Sequence, residues 1–114
     1  MNIDDQKAKL LKEKDELEKD LDNLGKRDEN GGWYVIPDED DGTHADPIDN
    51  ADVVEDFEEK VARLNVLEAQ HTQVSKALAA IENGSYGICE VSGEKISEER
   101  LLANPSATTT IEHA

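Results

Sequence analysis

Cysteine is all but missing from this chain: Cys89 is the only one. A lone cysteine excludes an internal disulfide and a cysteine-rich zinc site. Aromatic residues make up 4% of the 114 residues. So few large apolar side chains argue against a compact globule and suit long, solvated helices. Basic residues are also scarce, 12 Lys and Arg against 28 Asp and Glu, for a formal net charge of −16. Most of such a surface repels phosphate, so direct nucleic-acid binding is not expected. An acidic chain suits a basic protein partner, a metal-rich site on a partner, or simply solubility. No apolar run approaches the length of a membrane span, and no N-terminal stretch has the basic-then-apolar form of a signal peptide. No membrane partner and a cytoplasmic location are therefore expected. The length suits one small domain.

What is present is a seven-residue repeat. Ile3, Leu10, Leu17 and Leu24 recur at that spacing, with Leu11 and Leu21 widening the stripe. Residues 2–24 read as a helix, with Asn2 as N-cap, Asp4 and Asp5 in the first turn, and Gly25 as the stop. A second helix is predicted from about Asp52 to Asn83. Phe57, Leu64, His71 and Leu78 form one row of its seam, and Lys60, Leu67, Val74 and Ile81 the row three residues on, with Val54 and Val61 beside them. Asp49, Asn50 or Asp52 would cap its start, and Gly84 suits the position just past its end. A helix with one apolar seam cannot bury it alone. The economical solution is an antiparallel two-helix coiled-coil hairpin, an all-α fold.

The connector between the helices, about 25–51, is long for a hairpin, and long loops are usually functional or disordered. It is strongly acidic after Arg27 and carries "GGWYVIP" with the only Trp. Exposing that apolar cluster is costly, so the expectation is that it folds back on the helix ends. The acidic run is not an EF-hand: reading back from Asp41-Gly42, the first ligand position holds Pro37 and the twelfth holds Ile48. Cys89 has no local histidine motif, His71 falls on the helix seam, and no Gly-rich phosphate loop is present. The chain is not expected to be an enzyme.

The C-terminal segment begins "GSYGICEVSGEKI", two short strand-like pieces around a turn. Ser97 then caps a short helix, with Glu98 and Glu99 in its first turn, and Asn104-Pro105 ends it. Tyr86, Gly87, Cys89, Gly93, Ile96, Glu99, Arg100, Leu101, Ala103 and Pro105 follow one another without a gap in a pattern that resembles the zinc-finger end of the DksA/TraR family of bacterial transcription factors. The resemblance implies residues 1–83 as a coiled-coil hairpin and residues 84–114 as a degenerate, treble-clef-like zinc-finger lobe. The four ligand positions fall on Cys89, Ser92, Thr110 and His113. Structural zinc takes four thiolate or imidazole ligands. Ser92 and Thr110 are therefore losses, and Glu90 or Glu112 are the only obvious substitutes. No cofactor is expected, with zinc at Cys89 and His113 as the one candidate. Without metal, the lobe would keep its shape by packing Tyr86, Ile88, Ile96, Leu101, Leu102 and Ile111 on the end of the second helix.

The family acts through a D-x-x-D-x-A motif at the coiled-coil tip. Here Asp46, Asp49 and Ala51 match its defining positions. The resemblance thus implies a regulator that binds bacterial RNA polymerase through its secondary channel, with those three residues at the polymerase-contacting tip and no catalysis. The family often works with the alarmone ppGpp bound between factor and polymerase, so ppGpp is a candidate partner. Asp49 would serve equally as a helix cap. The alternative is a non-catalytic, protein-binding coiled-coil adaptor that kept the fold and lost polymerase regulation.

Overall fold

The structure is a computed structural model, and it describes residues 1–36 and 47–113, with the side chains of 47–53 and 113 outside the description. The chain is mostly helical. Helix α1 spans Ile3–Leu24, α2 Pro47–Asn83 and the short α3 Glu98–Ala103, and a single 3-10 turn covers Ile111–His113. Two strands of two residues each, β1 (Lys26–Arg27) and β2 (Trp33–Tyr34), pair antiparallel with Lys26 opposite Tyr34 and Arg27 opposite Trp33. The chain divides into two compact units, one of residues 1–17 and 70–114, the other of residues 18–69.

The start of α1 follows from its first residues. The side-chain oxygen of Asn2 accepts from the backbone N–H of Asp4 at 2.8 Å and of Asp5 at 3.4 Å. This satisfies donors that the helix itself cannot, and both aspartates face the positive end of the dipole. Helix α2 begins five residues earlier than the sequence suggests, at Pro47. A proline fits the first helical position because its missing N–H is an orphan there anyway. Asp49, Asn50 and Asp52 therefore lie inside the helix and do not cap it. The end of α2 is as expected: Gly84 takes φ +81°, and the N–H of Ser85 reaches back to the Ala80 carbonyl at 2.8 Å. That is the Schellman arrangement, which a left-handed glycine permits.

In the unit of residues 18–69, Leu21, Trp33 and Leu64 are buried together, with Leu24, Val35 and Leu67 packed against them. The Trp of the connector does fold back, as burial of so large a ring favours. Its indole N–H donates to Asp22 Oδ1 at 2.8 Å, and its backbone N–H donates to Glu68 Oε1 at 3.1 Å. The Arg27 guanidinium binds both oxygens of Asp22, at 3.0 and 3.2 Å, and lies 5.1 Å from the indole centroid. Gly25 stops α1 for a reason of space. A Cβ there would strike the carbonyl oxygen of Tyr34 and come within 3.1 Å of Leu64. The acidic stretch 37–46 lies outside the described residues.

In the other unit, Leu10, Val74 and Ala77 are buried to within 1% and Leu17 is 7% exposed. Lys7 of α1 pairs with Glu82 of α2 at 3.0 Å. The start of α1 thus meets the end of α2 in one unit, and Leu21 meets Leu64 in the other. The seam rows are buried in part: Ile3, Leu11 and Val54 are exposed, while Phe57, His71, Leu78 and Ile81 are half-buried. Leu11 sits beside Leu10 on the helix, so burying one turns the other outward.

Two outcomes are expected. Leu21→Ala should cost about 2–5 kcal/mol in urea unfolding while Leu11→Ala costs little, because only the first leaves a cavity. The Asp22 carboxyl is held below its usual range by its hydrogen bond to Arg27, then by that to Trp33. Stability from a depressed acid is complete above its unfolded pKa and is lost as pH falls through the folded one. Asp22→Asn should therefore be less stable than wild type at neutral pH. Acid titrations followed by Trp33 fluorescence should show that gap closing below pH 3.8.

Candidate functional site

The segment Tyr86–Ile96 is a knuckle closed by backbone bonds. Cys89 N donates to Glu94 O at 2.8 Å, Gly93 N to Cys89 O at 2.9 Å, and Ile96 N to Gly87 O at 2.7 Å. Ile88 and Lys95 form the isolated bridge between the two arms. Ser97 then caps α3, its side chain accepting from Arg100 N at 3.2 Å. Asn104 follows α3 as its C-cap. Cys89, Ile96, Leu101 and Ala107 are buried as one cluster, with Tyr86 packed against it.

Three of the residues expected in this lobe's core are outside it. Ile88 is 40%, Leu102 49% and Ile111 71% exposed. Ile88 precedes the buried Cys89 on an extended arm, where successive side chains point to opposite faces. Leu102 adjoins the buried Leu101 on a helix of six residues, which has one inward face. Sequence reasoning missed Ala107, which is too small to stand out, and Gln6. The Gln6 side chain is 1% exposed and donates to the Leu101 carbonyl at 2.8 Å and to the Tyr86 hydroxyl at 3.1 Å. The hydroxyl of Tyr86 in turn donates to the Pro105 carbonyl at 2.8 Å. Burial pushes the Tyr86 phenol up, partly offset by Gln6. The signal for Gln6 was its place one turn before Leu10, on the same face of α1.

Of the four ligand positions, Cys89, Ser92 and Thr110 come together. The backbone N–H of Ser92 lies 3.4 Å and the hydroxyl of Thr110 4.0 Å from the Cys89 sulfur. His113 ends the 3-10 turn, and its side chain lies outside the described residues. Burial pushes the Cys89 thiol up. The opposing bonds from the Ser92 side chain and from the backbones of Ser92, Thr110 and Val91 outweigh it and bring the thiol down to about 6. Neither substitute carboxylate joins the group: Glu90 faces Lys76 at 3.8 Å, and Glu112 is exposed. Among the described residues no three His, Cys, Asp or Glu side chains gather as a metal site. Hydroxyls at two of the four positions, Ser92 and Thr110, do not fit structural zinc, which takes thiolate or imidazole at each corner.

The tip residues are less fully described. Asp46 lies outside the described residues. Asp49 and Ala51 are the third and fifth residues of α2, and their side chains are outside the description. Among the described residues no helix is long and apolar enough to cross a membrane.

The described residues are mostly helical and include a knuckle around Cys89 held by backbone bonds. Residues 84–112 match the prokaryotic dksA/traR C4-type zinc finger. The chain is 46% identical over 69 residues to an uncharacterized protein, YteA, of Bacillus subtilis, covering 60% of this chain and 28% of that one. It is 40% identical over 72 residues to the RNA polymerase-binding transcription factor DksA of Caulobacter vibrioides, covering 60% of this chain and 49% of that one. Among solved structures, transcription factor DksA2 of Pseudomonas aeruginosa superposes with a TM-score of 0.66 at 25% identity, over 96% of this chain and 78% of that one. The C-terminal segment 84–112 belongs to the DksA/TraR zinc-finger family, and the chain around it is similar to DksA proteins. It spans about a quarter to a half of the length of these two curated relatives.

Tyr86→Phe removes the bond to Pro105 and the acceptor for Gln6 while keeping the ring. It should cost about 1–2 kcal/mol by denaturant titration, the usual worth of such buried bonds.

Proposed function

We propose that this chain is a transcription regulator that binds bacterial RNA polymerase through the secondary channel, with Asp46, Asp49 and Ala51 at the contacting tip. The observation that carries the reading is its 40% identity to an RNA polymerase-binding transcription factor, joined to the D-x-x-D-x-A pattern at the start of α2. Asp49 is the third residue of α2 and not its cap. A structural reason for an aspartate there is thereby weakened, though the helix dipole still favours an acid in the first turn. Asp49 and the small Ala51 at the head of a helix can reach into a channel too narrow for a globule. The net charge of −16 favours a basic protein surface over nucleic acid as the docking partner. In this reading the chain catalyses nothing. It shifts the stability of polymerase–promoter complexes, with ppGpp bound between factor and polymerase. Residues 1–83 supply the hairpin, with the connector between α1 and α2 at its tip, and residues 84–114 the lobe.

The test is in vitro transcription with the cognate polymerase, with and without ppGpp. Wild type should change initiation, and Asp49→Asn should abolish the change while still co-purifying with polymerase. Regulation by the variant equal to wild type would overturn the tip assignment. No association of wild type with polymerase, even at low salt, would favour the adaptor reading instead.

A further inference from the structure

The family pattern implies a zinc ion joining the Cys89 knuckle to the segment around Thr110, and the residues present do not fit one. The same two segments are nevertheless joined, by protein groups alone. Glu90 N donates to the Thr108 carbonyl at 2.9 Å. Arg100 Nε donates to the Thr109 carbonyl at 2.8 Å. Thr108 Oγ1 donates to Gln73 Oε1 of α2 at 3.0 Å. The Thr110 hydroxyl points at the Cys89 sulfur from 4.0 Å. Beneath these bonds the sulfur is packed among Ile96, Leu101 and Ala107, with Cys89 2% exposed.

We infer that this lobe folds without a metal, and that a clasp of hydrogen bonds from Glu90, Arg100 and Thr110 holds together the segments a zinc ion would otherwise join. The clasp suits the residues. A zinc ion needs deprotonated donors and repays their desolvation by coordination. Hydroxyls in the same places cannot repay it, but they can donate to a sulfur and accept from water. The Arg100 bond is of the stronger, charge-assisted kind. Cys89 then serves as a buried sulfur that accepts hydrogen bonds from the Ser92 N–H and the Thr110 hydroxyl. The inference concerns the lobe alone and stands whether or not the chain regulates polymerase.

The full chain, made in zinc-supplemented medium and purified without chelator, provides the test. Two readouts follow the lobe: zinc content by elemental analysis, and the rate at which a thiol reagent reaches Cys89. Wild type should carry substoichiometric zinc, and EDTA should change neither its melting temperature nor the protection of Cys89. Arg100→Met should speed the reaction of Cys89 roughly tenfold or more, as loss of a charged hydrogen bond opens the lobe more often. Ser92→Cys with Thr110→Cys should bind stoichiometric zinc and melt at a temperature that EDTA lowers. Stoichiometric zinc in wild type whose removal exposes Cys89 would overturn the inference. So would an Arg100→Met chain as well protected as wild type, or a double variant that takes up no zinc.

Discussion

Burial of a polar side chain that cannot be left unpaired governs both units of this protein. The chain has few apolar residues with which to close a core, so each core is finished by a polar group whose bonds are satisfied inside it. In one unit Gln6 is almost wholly buried and spends its amide on the Leu101 carbonyl and the Tyr86 hydroxyl. In the other, Trp33 is accommodated because Asp22 takes its indole proton and Arg27 covers its face. An unpaired group in either place would cost a sizeable part of the small margin by which such domains are stable. The pairing also gives direction. A leucine at either position would pack in several ways, whereas an amide or an indole N–H is satisfied in few.

The helices were legible because their signals are local. Asn2, the heptad leucines and Gly84 each act within a turn or two of where they stand. The start of α2 was not legible, because Pro47 follows a run of acidic residues and reads equally well as a turn. Placing Asp49 inside the helix also changes what that residue is for. The reason for Gly25 was hidden altogether: it lies in the approach of the Tyr34 carbonyl, nine residues on. The lobe was legible as a family pattern and half legible as a core, since Tyr86, Ile96 and Leu101 lie in it as expected. Ile88, Leu102 and Ile111 look like core formers by type, yet each adjoins or outlies a position that the turns of the lobe bury. Gln6 and Ala107, which look like surface or filler, are inside. Of the candidate sites, the grouping of Cys89, Ser92 and Thr110 was implied by the family resemblance, while the structure contributed the groups that bind them to one another.

Membership of the C-terminal segment in the DksA/TraR zinc-finger family and loss of its metal ligands sit together without conflict once the roles of the two ends of the sequence are separated. The signature residues of the C-terminal lobe are mostly those that shape it: glycines at turns, and the isoleucine, leucine and tyrosine of its core. Those remain. Ser92 and Thr110 stand where the family resemblance puts two of the ligands, and Thr108 and Thr109 beside Thr110 are bonded to Glu90 and Arg100. A fold can lose such an ion when enough protein–protein bonds bridge what it bridged.

Two glycines end the long helices for unlike reasons, and the difference has a stereochemical consequence. Gly84 stands in open space with its backbone in the left-handed region. What is excluded there is a hand, not a volume, and a residue of the opposite chirality would sit in it without strain. Gly25 has no such backbone, and a carbonyl oxygen occupies the place of its missing side chain. An alanine of the mirror-image series, introduced by chemical synthesis, suits the left-handed backbone of Gly84 and finds no such backbone at Gly25. At Gly84 the main chain gains rigidity, since the new residue prefers the very conformation the helix end demands.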